Sequence, residues 1–278
     1  MINKKILSEV YVKRHKDSHK YQFGSLLVIG GSKRYSGSPA LAALAAYRAG
    51  VDLVTVAAPE RAANIIASFS PDIITFPLQG DYIREEHVDD LIDLAKKSSA
   101  VVIGGGMERH DETLNAVAEF LDRVNLTCVI DADAIYAVAD NMQSVRRKDF
   151  VITPHSREFY VLTNIEPWGM DLKKKMEIVN KLAVHLKTTI LLKGPVDIIS
   201  NGIKNDINRT GCVEMTVGGT GDTLAGIIGS LMAQGNIPFD AACAGAYING
   251  KAGELAAKKL GVSMLATDII KNISKVIK

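Results

Sequence analysis

Residues 25–58, "SLLVIGGSKRYSGSPALAALAAYRAGVDLVTVAA", decide the fold class of this chain. The two ends of the stretch, 25–30 and 52–58, are short, β-branched and continuously apolar, which is typical of strands buried on both faces of a parallel sheet. Between them lie a glycine-bearing loop and a helical pattern, with Ser38 as the predicted N-cap and Pro39 as the first helical residue. This stretch therefore predicts a strand–helix–strand unit of an α/β protein.

The same alternation continues along most of the sequence. Further buried strands are predicted at 100–104, 127–132, 150–154 and 188–194, and helices at roughly 85–97, 111–123 and 171–187. Such alternation predicts a three-layer α/β/α architecture, in which a mostly parallel sheet lies between helices on both faces. No proline-rich linker, fixed-period repeat or low-complexity tract interrupts the pattern, so we expect one domain over residues 1–278.

The pattern changes after Lys193. Two short β runs flank Asn201-Gly202, a dipeptide typical of hairpin turns, so the sheet is predicted to end in an antiparallel hairpin. Three helical stretches follow, at about 221–234, 238–259 and 265–277. The last third of the chain is therefore expected to be mostly helical.

The overall composition excludes several classes of function. The 33 Lys and Arg residues balance the 31 Asp and Glu residues, so the chain lacks the basic surface expected of a nucleic-acid-binding protein. The longest apolar run, 40–58, is interrupted by Arg48, Gly50 and Asp52, and we expect no membrane span. Three cysteines without a C-x-x-C pair predict neither disulfides nor a zinc site, and indicate a cytoplasmic protein. The basic segment 1–20 has no signal-peptide core and is predicted to be a solvated arm.

Glycine-rich loops follow or precede predicted elements at three places, 29–39, 103–111 and 216–222. In open α/β sheets, ligands bind beyond the carboxyl ends of the strands, which is where the first two loops fall. The third loop, "TVGGTGD", precedes a helix, and a helix N-terminus offers free N–H groups and a positive dipole to an anion. These loops predict a phosphate-binding site at one edge of the sheet.

One carboxylate, that of Asp222, falls inside this predicted phosphate site. Gly219, Thr220 and Gly221 would form the anion cradle, so a negative side chain beside them does not serve binding alone. It fits a general base that takes a proton from a hydroxyl while the backbone stabilises a transferred phosphoryl group. The alternative interpretation is a capping aspartate in the first turn of a helix.

Two further motifs fit the same chemistry. Lys193 ends a predicted buried strand in "LLKGPVD", where its ammonium could face phosphates, although a solvated strand end is the alternative. In "TPHSRE", His155 follows a strand and Glu158 lies three residues on, although Ser156 as an N-cap with an exposed His155 is equally compatible. Both motifs lie where a parallel strand ends.

The motif "DADAI" places Asp131 and Asp133 at the end of another strand. Both could cap a helix, or Asp133 could orient a substrate or a hydrated magnesium ion. Residues 245–252, "GAYINGKA", have P-loop spacing, but Ala252 replaces the magnesium-binding hydroxyl residue and the stretch lies within a helical pattern. The first strand is not followed by G-x-G-x-x-G, which disfavours hydride transfer on a Rossmann fold.

Taken together, "GGSKRYSGSP", "VIGGGM", "DADAI", "TPHSRE", "LLKGPVD" and "VGGTGDTLAG" resemble, in order and spacing, the ADP/ATP-dependent NAD(P)H-hydrate dehydratase family of the ribokinase-like superfamily. The resemblance covers nearly the whole chain. It implies a ribokinase-like fold and repair of the S form of hydrated NADH and NADPH. ADP or ATP, with Mg²⁺, phosphorylates the hydroxyl on the damaged ring, and loss of phosphate regenerates the reduced cofactor. It also implies a homo-oligomer, a tetramer, without nucleic-acid or membrane partners.

The resemblance assigns roles to individual residues. Asp222 corresponds to the catalytic base, and Gly219, Thr220 and Gly221 correspond to the anion hole. The positions implied for the hydrated nicotinamide are Ala40, Gly106, His155 and Asp222, and those for ADP or ATP are Lys193, Gly194, Pro195, Val196, Asp197 and Gly221. The resemblance assigns no metal ligands.

Several positions depart from the family pattern. Gly105 replaces a proline and Glu108 a glycine in the loop after the third predicted strand. Asp197 stands where a hydroxyl residue is usual, so we expect weaker nucleotide binding or an altered choice of donor. Cys212 stands where the family often has asparagine. Because the first strand begins near residue 25, we expect no N-terminal epimerase domain.

Two other functions are compatible with parts of the pattern. A small-molecule kinase of the hydroxyethylthiazole or hydroxymethylpyrimidine type would share Asp222 and the anion cradle, but not the first glycine loop or "TPHSRE". A non-catalytic nucleotide-binding protein would have no need of Asp222. Accumulation of a phosphorylated product identifies the kinase, and steady turnover excludes the non-catalytic protein.

Overall fold

The computed structural model describes all 278 residues. Its nine strands are β1 (Ser25–Ile29), β2 (Leu53–Pro59), β3 (Ile74–Leu78), β4 (Ala100–Ile103), β5 (Cys128–Ile130), β6 (Phe150–Ile152), β7 (Thr189–Leu192), β8 (Asp197–Ser200) and β9 (Asn205–Asn208). Its eleven helices are α1 (Ile6–Val10), α2 (Gly37–Arg48), α3 (Glu60–Phe69), α4 (Val88–Ala95), α5 (Asp111–Arg123), α6 (Ala134–Asp140), α7 (Ser156–Thr163), α8 (Leu172–Leu186), α9 (Thr220–Ala233), α10 (Pro238–Leu260) and α11 (Ala266–Ile277).

All nine strands form one sheet in the order β3-β2-β1-β4-β5-β6-β7-β8-β9. The strands from β3 to β7 are parallel, and β7, β8 and β9 are antiparallel. Helices α2, α9, α10 and α11 contribute to the larger core, on one face, and α4 to α8 cover the other face. The predicted three-layer class and the late antiparallel hairpin are therefore confirmed.

The direction of strand order reverses at β1. From β1 the chain moves to β2 and β3 on one side, and β4 then pairs with β1 on the other side. The loops that follow β1 and β4 consequently leave the sheet next to each other. This is the place where open α/β sheets bind their ligands.

Close packing joins helices α2 and α9. A β-carbon at Gly226 would overlap the backbone of Ala42 in α2, and one at Gly229 would overlap the side chain of Val102 in β4. These two glycines of α9 therefore serve packing, Gly226 against α2 and Gly229 against the sheet. The packing also fixes the first turns of α2 and α9 relative to each other.

The structure differs from the predicted elements at several points. Strand β3 and helix α3 had no predicted counterpart. The N-terminal segment is not simply a solvated arm, because Leu7 and Val10 of α1 are buried in the core. Helix α2 begins at Gly37 with Ser36 as its N-cap, so Ser38 is not the cap and Pro39 is not the first helical residue. No helix combines the length and the apolar character that crossing a membrane requires.

Candidate active site

The site lies where the loops after β1 and β4 meet. The N–H of Gly31 donates a hydrogen bond to the carbonyl oxygen of Gly105 across 2.9 Å, which ties the two loops together. A β-carbon at Gly105 would lie 3.0 Å from Cβ of Ser38 and 3.1 Å from Oδ1 of Asp222, so no larger residue fits there without movement. The glycine at 105, one of the departures from the family pattern, allows the loop to approach Asp222.

The carboxylate of Asp222 binds a side chain and does not cap a helix. It is the third residue of α9, and its Oδ2 accepts a hydrogen bond from Oγ of Ser38 across 3.1 Å. No backbone N–H donates to its carboxylate, so the capping interpretation is wrong. Ser36 and not Ser38 occupies the N-cap position of α2, and the hydroxyl of Ser38 binds this carboxylate instead.

Free backbone N–H groups lie beside this carboxylate. Gly219 precedes α9 with a φ of +91°, a conformation that favours glycine and turns the chain sharply into the helix. The first hydrogen bond of the helix runs from Thr223 N–H to the Gly219 carbonyl, so the N–H groups of Thr220 and Gly221 precede the helical ladder. The hydroxyl of Thr220 donates to Met215 and leaves these N–H groups uncovered. The geometry is that of an anion site.

A buried ion pair supplies the positive charge of the site. Nζ of Lys193 lies 2.6 Å from Oδ1 of Asp131 and 3.8 Å from a carboxylate oxygen of Glu158. The Lys193 side chain is only 18% exposed, so the alternative of a solvated strand end is wrong. A β-carbon at Gly221 would lie 3.4 Å from this ammonium. Lys193 therefore faces the start of α9, next to the free N–H groups.

Asp131 and Asp133 have different partners although they lie two residues apart. Asp131 is buried and also accepts a hydrogen bond from Thr153 across 2.8 Å, while its second oxygen faces Gly221. Asp133 accepts a hydrogen bond from the backbone N–H of Glu108 and forms an ion pair with Arg109. Asp131 thus belongs to the site, whereas Asp133 anchors the loop after β4.

The carboxyl groups of the site repel one another. Burial, followed by the negative charge of Asp131, raises the pKa of Asp222 to about 7, although Ser38 and Lys193 act in the opposite direction. Burial likewise raises the pKa of Glu158, against the attraction of Lys193. Burial is the largest effect on Lys193 and lowers its pKa, but Asp131 and Glu158 together outweigh it, so the net shift is upward. At neutral pH, Asp222 can therefore both accept and release a proton.

His155 has a defined hydrogen-bonding role. Its Nδ1 accepts a hydrogen bond from the Glu158 N–H across 3.1 Å, and Glu158 accepts one from the His155 N–H across 2.8 Å. His155 itself is the N-cap of α7, so the alternative with Ser156 as the cap is wrong. Burial and the nearby Lys193 lower the pKa of His155. A neutral ring whose Nδ1 is an acceptor carries its proton on Nε2, which lies 3.4 Å from Oε1 of Glu158, and the His155 side chain is 52% exposed.

The remaining predicted substrate residues, Gly106 and Ala40, differ in accessibility. A β-carbon at Gly106 would contact Cβ of Tyr35 at 2.8 Å and lie near Ser38, so Gly106 is at the junction of the loops. Ala40 is only 3% exposed and belongs to the larger core. Its methyl group is packed in the core and is not exposed at the surface of the site.

The predicted nucleotide segment forms the turn between β7 and β8. Gly194 and Pro195 are exposed, and Val196 is partly buried. Asp197 accepts hydrogen bonds from the Gly194 N–H and from the Asn208 amide, so both of its oxygens stabilise this turn. Burial raises the pKa of Asp197 to about 6. This aspartate is a structural part of the turn, which was not foreseen from the sequence.

Sequence reasoning missed two contributors to the site. Ser38 was interpreted only as a helix cap, and Asp131 only as a capping residue. The signal for Ser38 was its place in a glycine loop directly before a helix, and the signal for Asp131 was its position at the end of a buried strand. Neither signal could show which side chain each residue contacts.

Comparisons with known proteins show which family this chain resembles. The family described as NAD(P)H-hydrate dehydratase matches residues 26–275. A bifunctional NAD(P)H-hydrate repair enzyme of Pyrobaculum aerophilum is 44% identical over 268 residues, which are 95% of this chain and 52% of the relative. This chain therefore spans about half the length of that relative.

A second relative matches over nearly its full length. The ADP-dependent (S)-NAD(P)H-hydrate dehydratase of Nitrosopumilus maritimus is 35% identical over 268 residues, 95% of this chain and 92% of the relative. The crystal structure of the ADP/ATP-dependent NAD(P)H-hydrate dehydratase from Bacillus subtilis, co-crystallised with ATP/Mg²⁺, superposes with a TM-score of 0.80 at 24% identity. The match covers 99% of this chain and 98% of the Bacillus subtilis chain, and it shows that the two chains share a fold. The chain belongs to the NAD(P)H-hydrate dehydratase family.

Proposed function

We propose that this protein uses ADP or ATP to dehydrate the S form of hydrated NADH and NADPH, and so restores the reduced cofactors. One observation carries the proposal above all. A carboxylate with a pKa near 7, that of Asp222, lies beside free N–H groups at the start of α9 and faces the ammonium of Lys193. A base, an anion site and a cation are thus together where a hydroxyl would attack a phosphoryl group.

The first half of the reaction follows from this arrangement. The ring hydroxyl of the substrate lies against Asp222, which removes its proton as the oxygen forms a new bond to the terminal phosphorus of the nucleotide. The bond from that phosphorus to the bridging oxygen breaks, and AMP or ADP leaves. The N–H groups of Gly219, Thr220 and Gly221 donate hydrogen bonds to the phosphoryl oxygens, and Lys193 adds a full positive charge.

The second half of the reaction removes phosphate. The bond between the ring carbon and the phosphate oxygen breaks and the phosphate keeps the electron pair. The neighbouring ring carbon gives a proton to water, and the electron pair of that C–H bond forms the ring double bond. The product is reduced nicotinamide. We assign the hydrogen bond donor of His155, on Nε2, to holding the ring, because the N-cap contact with Glu158 fixes the orientation of the imidazole.

The residues present fit a magnesium ion brought by the nucleotide. The site has no ready-made cluster of three metal-binding side chains. Mg²⁺ in such sites uses phosphate oxygens, water and only one or two carboxylates. Asp131, with one oxygen free and facing Gly221, and the buried Glu158 would supply these, since three carboxyl groups here share one ammonium. The ion would supply charge neutralisation for the transferred group.

The turn between β7 and β8 is proposed to hold the donor nucleotide. Lys193, Gly194, Pro195, Val196 and Asp197 are the positions that form it. Because the oxygens of Asp197 are occupied by Gly194 and Asn208, we expect this residue to shape the turn and not to contact the ligand directly. Ala40 is expected to act only through the backbone of α2.

A turnover assay tests the proposal. The protein is incubated with hydrated NADH, Mg²⁺ and either nucleotide, and NADH absorbance and free phosphate are followed together. The proposal requires NADH and phosphate to appear in equal amounts, with consumption of one nucleotide per NADH. A phosphorylated compound that accumulates without NADH would identify a small-molecule kinase, and no turnover with either nucleotide would refute the enzymatic function.

A further inference from the structure

Asn249 is a buried amide in the middle of α10. It is only 5% exposed, and the buried residues around it in the helix, such as Ala246, Ile248 and Ala252, carry small or apolar side chains. Asparagine is a poor residue for the interior of a helix, and a buried amide without partners is unfavourable. The position of this residue is therefore explained only by what its amide contacts.

The amide of Asn249 binds the first turn of α9. Its Nδ2 donates a hydrogen bond to the carbonyl oxygen of Thr220 across 3.2 Å. The hydroxyl of the buried Thr223 lies 2.8 Å from the same carbonyl oxygen and 2.8 Å from Oδ1 of Asn249. A hydroxyl has one proton, so Thr223 donates to one of these two acceptors at a time. Asn249 is therefore the constant side-chain donor to the Thr220 carbonyl.

The carbonyl of Thr220 and the N–H of Gly221 belong to the same trans peptide, so they point in opposite directions. Asn249 and Thr223 hold the carbonyl from the buried side, whereas Gly221 is partly exposed and lies next to the ammonium of Lys193. The N–H of Gly221 is consequently directed into the anion site. A carbonyl that accepts hydrogen bonds also polarises its own peptide, which makes this N–H a stronger donor.

The peptide needs support from outside because its surroundings are flexible. Thr220 lies between Gly219 and Gly221, and glycine has the greatest conformational freedom of all residues. The hydroxyl of Thr220 donates to the carbonyl of Met215, which fixes the residue on one side. Asn249 fixes it on the other side, from a long buried helix. A phosphoryl group then meets a donor that is already oriented, and no binding energy is lost in ordering the loop.

We propose that Asn249 is a positioning residue, which together with Thr223 directs the N–H of Gly221 at the phosphoryl group during its transfer. The proposal rests on the dehydratase function proposed above and adds a residue that acts on the reaction through the backbone. Because the N–H stabilises charge that develops on the transferred group, loss of this support should lower kcat more than it raises KM.

Steady-state kinetics test the role. Asn249→Leu removes the amide and keeps a side chain of similar shape, so kcat for NADH recovery should fall about 10-fold, with KM for the nucleotide changed by less than about 3-fold. Thr223→Val should lower kcat about 3-fold, and Thr223→Ser, which keeps the hydroxyl, should restore it. The double variant Asn249→Leu/Thr223→Val should lose more than the product of the two single losses, because each remaining donor partly replaces the other.

Ser230→Ala is the matched control. Ser230 is a fully buried hydroxyl residue of the same helix, α9, and it accepts a hydrogen bond from the backbone N–H of Val51, away from the anion site. Its removal should lower the melting temperature and leave kcat unchanged. If Asn249→Leu and Thr223→Val behave in the same way, with lower melting temperatures and parental kcat, both residues are merely structural and the proposal is wrong.

A binding measurement separates this proposal from the proposed function. Aluminium fluoride with Mg²⁺ and AMP or ADP imitates a phosphoryl group in transfer, so the parent should bind the nucleotide more tightly in its presence. Asn249→Leu should lose about 10-fold of this gain, while its Kd for the nucleotide alone stays at the parental value. A variant that keeps the full gain would refute the role of Asn249 and leave the function standing. A parent without any gain would refute phosphoryl transfer at this site and the role of Asn249 with it.

Discussion

Three carboxyl groups, those of Asp131, Glu158 and Asp222, share the neighbourhood of one ammonium group at Lys193. Burial, followed by the negative charge of Asp131, raises the pKa of Asp222 to about 7 and so keeps it from ionising at low pH. A base of this kind operates best when its pKa is near the working pH.

The pH dependence of turnover should show this environment. Because the raised pKa of Asp222 is about 7, kcat/KM should fall about 10-fold per pH unit below pH 7, as the base becomes protonated. An ordinary surface aspartate would place this fall, the acid limb of the pH profile, near pH 4. Ser38→Ala should move the limb to higher pH, because the Ser38 hydroxyl stabilises the ionised form. A profile that is flat from pH 5 to 8 would contradict the assignment.

Lys193 should affect both the binding of the nucleotide and the pKa of the proposed base, Asp222. Lys193→Ala removes a cation beside the anion site, so KM for ADP or ATP should rise by about 10-fold or more. The pKa values of Asp222 and Glu158 should rise further, because Lys193 lowers both, and the acid limb should shift upward with them. Kinetics with each nucleotide at several pH values measure the two effects. Lys259→Ala, in the last turn of α10, is the control and should change neither.

At the scale of elements, the site depends on how α2 and α9 pack. Ser38 lies in α2 and Asp222 lies in α9, so the hydrogen bond between their side chains depends on the relative position of the two helices. Gly226 allows the close approach, because it lies against the backbone of Ala42. A glycine in a helix interior is otherwise unfavourable by about 0.5–1 kcal/mol relative to alanine.

Gly226→Ala should therefore destabilise the protein in spite of the better helix propensity of alanine. The added methyl group overlaps the α2 backbone, which cannot move as a flexible side chain would, and overpacking of this kind costs about 1–3 kcal/mol. Chemical denaturation measures the loss. Gly218→Ala is the control for stability, since a β-carbon at Gly218 meets nothing within 4 Å. Equal stability of the two variants would show that α2 and α9 can separate freely.

At the scale of the whole molecule, the sheet was largely predictable from the sequence. The strands β1, β4, β5, β6 and β7 are buried on both faces, and their continuous apolar runs showed this directly. Strand β3 lies at the edge of the sheet, contains Pro77 and has an exposed Ile74, so its sequence resembles that of a loop. Helix α1 is only five residues long and depends on the packing of Leu7 and Val10.

The site was predictable in its residue types but not in its contacts. Asp222, Lys193 and His155 were singled out because each lies at the end of an element. The partners of Asp222 and Lys193 lie far away in the sequence, as in the pairing of Ser38 with Asp222 across 184 positions. Such contacts depend on the order of strands and the packing of helices, which local patterns do not contain. For the same reason, the core position of Ala40 was not anticipated.

Turnover by Asp222→Asn tests the central claim most directly. Asparagine keeps the size of the side chain and can still bind Ser38, but it cannot accept the proton. The rate of NADH recovery from hydrated NADH should fall by about 10²–10⁴-fold, the usual scale for general-base catalysis. Nucleotide binding should hold or improve, because a negative charge near the phosphates is removed.

The melting temperature of the variant completes the measurement. The raised pKa of Asp222 means that ionisation costs the folded protein stability, a cost that appears as the pH rises from about 4 through 7. At pH 8, Asp222→Asn should therefore melt no lower than the parent while its turnover is lost. If this variant restored NADH at close to the parental rate, Asp222 would not be the base and the account would be wrong.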